Sequence, residues 1–252
     1  AGRHLAGDVE VVDIGLDKNG FLHVDEIVMP GVEVARRGRA DSRGKTIDEL
    51  LKPGQEVVVQ VVKDPLKTKG ARLSMDLTIA GRYMVYTPTG EGIGVSKRLD
   101  DKERDRLRKE AKGLDLRGGG AIVRTAAQGA KREDFERELQ YLFKLHEVLE
   151  RRVKESPAPA LVFQEADLSI RVVRDIFSTD FERAIVDDEQ QYERLKSFFT
   201  RTAPELVDRV ELWQEETPLL QAFEVEEVID SLMSRRVDLP SGGYLVIDYA
   251  EA

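Results

Sequence analysis

The chain has 252 residues, 41% hydrophobic and 35% charged, enough to bury real cores in one to three small domains. It has no cysteine, only the scattered histidines His4, His23 and His146, and no run of about 18 apolar residues. Within these residues disulfides and cysteine-ligated zinc are thereby excluded, and neither a histidine metal cluster nor a membrane-spanning helix is expected. The opening AGRHLAGDVE lacks the apolar stretch of a signal peptide, so a cytoplasmic chain is expected.

A net charge of −9 speaks against a polyanionic partner until it is divided along the chain. Residues 31–72 carry a net +4 and residues 81–132 a net +6, whereas residues 133–252 carry −14. Phosphate binding responds to local potential, so the first half remains open to nucleic acid.

In chain order, residues 8–77 read as all-β. Val9–Ile14 is an apolar, β-branched run, Asp17-Lys18-Asn19-Gly20 a hairpin turn, and Phe21–Val24 a second strand. A basic insertion, Ala35–Lys45, follows. Glu56–Lys63 (EVVVQVVK) and Ala71–Leu77 supply further strands, and the set predicts a small antiparallel barrel. On such a barrel Phe21, with Lys63, Lys67, Lys69 and Arg72, would make a stacking and basic face for single-stranded nucleic acid. The alternative, equally open at this point, places Phe21 in the core and leaves the lysines as solvated charges.

The next hundred residues are mixed. Arg82–Thr87 predicts a strand, Gly90–Gly94 a loop, Val95–Arg98 a short strand, and Asp100–Lys112 a charged helix with Asp100 as N-cap. The stretch GGGAIVRTAAQG, Gly118–Gly129, follows. Its glycines predict a flexible turn, and Ala121-Ile122-Val123 a buried strand running into a helix of about residues 131–154. In that helix Phe135, Leu139, Leu142, Phe143, Leu149 and Val153 recur every three or four residues. Arg124 and Thr125 thus fall at a strand-to-helix junction, where a guanidinium fork, a hydroxyl and free backbone N–H groups could hold a phosphate-sized anion. The competing reading has Arg124 paired with a carboxylate and Thr125 as a cap.

Leu161–Phe163 predicts a strand, and Asp167–Phe177 a helix with Ile170, Val173, Ile176 and Phe177 inward. Beyond it lie a strand at Arg183–Val186, a helix at Glu189–Thr200, a strand-like run at Glu205–Leu212, a helix at Leu219–Arg235 and a final glycine turn and strand. Asp187, Asp188 and Glu189 are adjacent carboxylates, but neighbouring positions do not converge on one ion, so a strand end and an acidic helix start explain them better.

Four separated stretches, Val12–Ile27, Leu50–Pro88, GGGAIVRTAAQG and PSGGYLVIDYAEA, together resemble the ribonuclease E/G family of bacterial endoribonucleases in wording, order and spacing. The resemblance runs from about Val12 to Ala252. It implies an α+β multidomain chain, with an OB-fold RNA-binding domain at 8–77 and a mixed α/β 5′-monophosphate sensor at 78–178. A ribonuclease-H-like part at 179–240 and the first strand of a DNase-I-like catalytic domain at 241–252 would follow. By matching positions it implies that Arg124 and Thr125 hold the 5′-phosphate, with Gly81 and Val85 against the terminal nucleotide. Phe21 and Lys69, with Lys63 beside them, would contact single-stranded RNA. Val11 stands where the family usually has an aromatic residue. The resemblance further implies magnesium in the full-length enzyme, a homo-oligomer (dimer or tetramer) and degradosome proteins as partners. The family's metal-binding aspartates match nothing in these residues, so this chain is expected to bind RNA without cutting it, and no cofactor is expected in it. A stand-alone RNA-binding or ribosome-associated module is the alternative, and a complete enzyme using Asp187 and Asp188 a third.

Overall fold

The computed structural model describes residues 9–28, 47–66, 69–164 and 167–248. Its chain divides into two compact units, Ala1–Ile176 with Arg201–Ala203, and Phe177–Thr200 with Pro204–Ala252. The class is mixed α/β, with several small sheets and seven α-helices among the described residues.

The first unit opens with β1 (Val9–Val12) and β2 (Gly20–His23), an antiparallel hairpin with Val11 opposite Phe21. A one-turn helix, α1 (Ile47–Leu50), precedes β3 (Gln60–Lys63) and β4 (Arg72–Ser74). The sheet order is β1-β2-β4-β3, with β2 and β4 parallel. The antiparallel barrel expected from the sequence is therefore corrected: among the described residues the sheet is open and mixed. One physical reason is strand length. Of the valine-rich run Glu56–Lys63 only Gln60, Val61 and Lys63 pair with β4; Val62 is skipped at a bulge, and Val57 and Val59, before the strand, pack on the core. The core beneath is Leu22, Ile27, Ile47, Leu50, Leu51, Ala71 and Leu73. The insertion at 35–45 and Lys67 lie outside the described residues.

A second sheet of the same unit contains β5 (Ile79–Ala80), β6 (Met84–Thr87), β7 (Gly92–Val95) and β8 (Gly120–Val123), in the order β5-β6-β8-β7. Here β6 and β8 are antiparallel and β7 and β8 parallel. The strand expected at Val95–Arg98 is thus displaced into the glycine-rich segment before it. Helix α2 (Asp101–Ala111) starts at Asp100, whose Oδ1 accepts the Glu103 N–H at 2.9 Å as expected. Helix α3 (Arg132–Glu155) buries Phe135, Leu139, Leu142, Phe143 and Leu149 against the sheet, where Met84, Tyr86, Ala121 and Val123 point inward. Ile122 is the exception to the expected buried strand: it points outward, 50% exposed.

The three glycines at 118–120 do more than loosen a turn. Gly118 has φ of +81°, and a Cβ on Gly119 or Gly120 would come within 2.8 Å of the Tyr86 ring or the Glu91 backbone. A left-handed backbone demands the first and close packing the other two. Past α3, Leu161–Phe163 forms no strand, and α4 (Leu168–Asp175), capped by Asp167, buries Val173 but leaves Ile176, just past its end, 60% exposed.

The second unit pairs β9 (Ala184–Val186) in parallel with β10 (Val210–Leu212), with α5 (Glu189–Thr202) between them in sequence. The run expected as a strand over Glu205–Leu212 is a 3-10 turn, Pro204–Arg209, leading into that shorter strand. The single helix expected over Leu219–Arg235 breaks into α6 (Leu219–Ala222) and α7 (Val225–Ser231), because Glu224 takes a left-handed φ of 56°. A hairpin of β11 (Arg236–Asp238) and β12 (Tyr244–Val246) follows.

Candidate anion site and nucleic-acid interface

Arg124 leaves the end of β8 and is tied down on three sides. Its backbone N–H donates to the Tyr83 carbonyl at 2.7 Å, Nη1 donates to the Gly81 carbonyl at 2.7 Å, and Nη2 lies 2.7 Å from Asp175 Oδ1. The carboxylate pairing raised as the competing reading is therefore real, but it leaves further guanidinium N–H groups in a fixed fork. Thr125 follows, exposed, as the first residue of a 3-10 turn, Thr125–Ala127, and its Oγ1 lies 3.3 Å from Ser96 Oγ. The expected junction with the long helix is corrected here: α3 begins only at Arg132, so its N-terminus does not belong to the Arg124–Thr125 pair. Any anion there would be held by side chains rather than by a helix dipole.

Two carboxylates shape the electrostatics. Burial pushes Asp175 up, but hydrogen bonds and charges from Arg174 and Arg124 outweigh it and hold its carboxyl below the ordinary aspartate value. Glu138, from the buried face of α3, has no exposed surface; its burial pushes the carboxyl up to about 7, against the N–H groups of Arg82, Met84 and Tyr83 and the charge of Arg124. Those donors reach it at 2.5 Å from Arg82, 2.7 Å from Met84 and 2.9 Å from Tyr83. Gly81 is buried beside it. Val85 lies half-buried on the outer face of the sheet, directly across from Ile122.

Neither Asp175 nor Glu138 was singled out from sequence, nor was Ser96. Glu138 had a readable signal: it falls in the apolar phase of α3, between Phe135 and Leu142, where a charge needs an internal partner.

On the first sheet, the register places Val11, Phe21, Arg72 and Lys63 in one row across four strands. Phe21 is half-buried while Leu22, its neighbour of opposite face, is fully buried, so Leu22 and not Phe21 is the core residue. Arg72 Nη2 pairs with Glu26 at 2.6 Å, and Lys63 is exposed. Lys69 is exposed at a loop bridged to Leu66, two residues before Ala71, whose carbonyl accepts the Phe21 N–H. Of the side chains chosen from sequence, Phe21, Arg72 and Lys63 share a row of the sheet, with Arg72 between the other two, whereas Lys69 lies off it in the loop between β3 and β4.

Asp187, Asp188 and Glu189 do not converge: Asp188 Oδ1 accepts the Gln191 N–H at 2.7 Å and so caps α5. Among the described residues no group of three or more His, Cys, Asp or Glu could hold a metal ion. These carboxylates do not fit a magnesium site. Among the same residues no helix is long and apolar enough to cross a membrane.

The family model described as the ribonuclease E/G family matches residues 78–252. Ribonuclease G of Haemophilus influenzae is 38% identical over 243 residues, covering 96% of this chain and 49% of that protein. Ribonuclease G of Escherichia coli K12 is 39% identical, over 96% of this chain and 50% of its own length. Ribonuclease E of a Nostoc species is 35% identical over 97% of this chain and 35% of its own. The chain belongs to the ribonuclease E/G family. It spans about half the length of the ribonuclease G relatives it matches.

Proposed function

We propose that this chain is the RNA-binding and 5′-end-sensing portion of an endoribonuclease of RNA processing and decay. In this reading residues 8–77 are an OB-fold domain gripping single-stranded RNA through Phe21, Lys63 and Lys69. Residues 78–178 sense a 5′-monophosphate through Arg124 and Thr125, with Gly81 and Val85 near the terminal nucleotide. Residues 179–240 are the ribonuclease-H-like part, and 241–252 begin the catalytic domain. The observation that carries the proposal is Arg124, held by Gly81 and Asp175 beside the exposed hydroxyl of Thr125. A pre-oriented fork and a hydroxyl suit a single phosphate, and a bulkier triphosphate is penalised by size and charge. Magnesium would supply the activated water for phosphodiester hydrolysis in the whole protein. The part assigned to this chain is recognition, not cleavage. The homo-oligomer, the degradosome partners and a cytoplasmic setting belong to the same proposal for the whole protein.

The test compares affinities for 5′-monophosphorylated and 5′-hydroxyl oligoribonucleotides. Wild type is expected to prefer the phosphate by about fivefold or more, roughly 1 kcal/mol, and Arg124→Ala or Thr125→Ala to abolish the preference. Equal affinities in wild type would overturn the sensor assignment.

A further inference from the structure

The four-residue segment Gly81–Met84 sits between two charged side chains and serves both. Two of its carbonyls meet Arg124: Gly81 O accepts from Nη1 and Tyr83 O from the Arg124 backbone N–H, each at 2.7 Å. Its amides face the other way. The N–H groups of Arg82, Tyr83 and Met84 all converge on the carboxylate of Glu138, and the Gly81 N–H closes the turn on Met84 O at 2.8 Å. Three successive backbone donors on one fully buried carboxylate form an anion nest whose anion is supplied from within. A Cβ on Gly81 would stand 2.6 Å from Glu138 Cδ, so the carboxylate and a side chain at position 81 exclude each other.

We infer that Glu138 is the positioning residue of the Arg124 site: by clamping the amides of Arg82–Met84 it fixes the carbonyls that anchor Arg124, and its contact with Gly81 is what requires a glycine there. Glu138 lies beneath the segment and touches no ligand. It acts through backbone, from a helix whose other inward residues are apolar. The consequence for phosphate recognition rests on the sensor reading above, whereas the clamp itself does not.

Two measurements on the 252-residue chain separate them. In the ligand-free protein, hydrogen exchange of the Arg82, Tyr83, Met84 and Arg124 amides is expected to quicken by about tenfold or more in Glu138→Gln, whose amide offers a donor where acceptors are needed, while α2 and the first sheet stay unchanged. Unchanged exchange at those four amides overturns the inference. In binding, Glu138→Gln is expected to reduce the 5′-phosphate preference from about fivefold towards one, with little change for the 5′-hydroxyl oligonucleotide. An equal loss for both oligonucleotides marks a merely structural role and also overturns it. If wild type shows no phosphate preference, the sensor reading falls and the exchange experiment alone decides the clamp. Where Glu138→Gln fails to fold, Gly81→Ala and the double variant Gly81→Ala/Glu138→Asp take its place. The shorter aspartate makes room for the new methyl, so the double variant is expected to regain slow exchange and preference that Gly81→Ala loses. No regain means that position 81 needs its glycine for another reason.

Discussion

Asp175 stands 2.7 Å from the Arg124 guanidinium and also contacts Arg174 at 2.9 Å, so one carboxylate is shared by two cations. In the proposed sensor it would be an anchor and a competitor at once. As an anchor it fixes the guanidinium plane; as a fixed negative charge it repels each further charge that a ligand brings. Asp175→Asn keeps an oxygen for Arg124 and removes the charge. Both mono- and triphosphorylated oligoribonucleotides should then bind more tightly at low salt, the triphosphate more so, narrowing the difference between them by about twofold or more. Competition binding with the two oligonucleotides measures this, and an unchanged ratio would mean that Asp175 only orients Arg124. Arg124 and Thr125 were visible in the sequence because they interrupt a glycine-bounded strand. Asp175 was not, since the helix that carries it comes forty-odd positions later and was read for its apolar stripe.

At the scale of elements, α2 is fastened to the turn before α3 by Glu103. Its carboxylate takes a fork from Arg106 at 2.7 and 2.8 Å and the Gly129 N–H at 2.8 Å, while Arg106 Nη1 reaches the Ala130 carbonyl at 2.9 Å. Hydrogen bonds from Arg106 and from Gly129 lower the Glu103 carboxyl from 4.5 to about 2. A depressed carboxylate stabilises the fold above its unfolded value and loses that effect as pH falls through the folded one. Glu103→Gln is therefore expected to cost about 1 kcal/mol at neutral pH, since the group is near the surface and screened. The gap from wild type should close as pH falls from 4.5 towards 2. Urea unfolding at neutral pH and near pH 3 reads it; a constant gap would assign the loss to packing. Helices α2 and α3 were legible in advance because an N-cap and a 3.6-residue stripe are local signals. Sheet order was not: the parallel pairing of β2 with β4, and of β7 with β8, depends on residues far apart in sequence. The break at Glu224 was equally hidden, because a glutamate gives no local hint of a left-handed backbone.

Across the whole molecule charge is divided, net +4 over residues 31–72 and +6 over 81–132 against −14 over 133–252. A polyanion therefore meets a favourable potential on the first half and a repulsive one on the second, and the total of −9 is a poor guide to binding. The row of Val11, Phe21, Arg72 and Lys63 places two basic side chains of the first half beside an aromatic ring. Arg72 is already engaged by Glu26, which leaves the exposed Lys63 and Lys69, among the described residues, to displace counterions in the proposed OB-fold face. Each phosphate contact on single-stranded RNA contributes about 0.7 to the slope of log affinity against log salt. Lys63→Gln and Lys69→Gln should each reduce the slope by about that amount, whereas Phe21→Ala should weaken binding by about 1–3 kcal/mol through lost stacking and leave the slope unchanged. Titrations of a 5′-hydroxyl oligoribonucleotide over a range of salt keep this test independent of the Arg124 site. A Phe21→Ala variant that binds like wild type would remove the aromatic platform from the proposal, and lysine variants with an unaltered slope would move the RNA path to another face of the basic half.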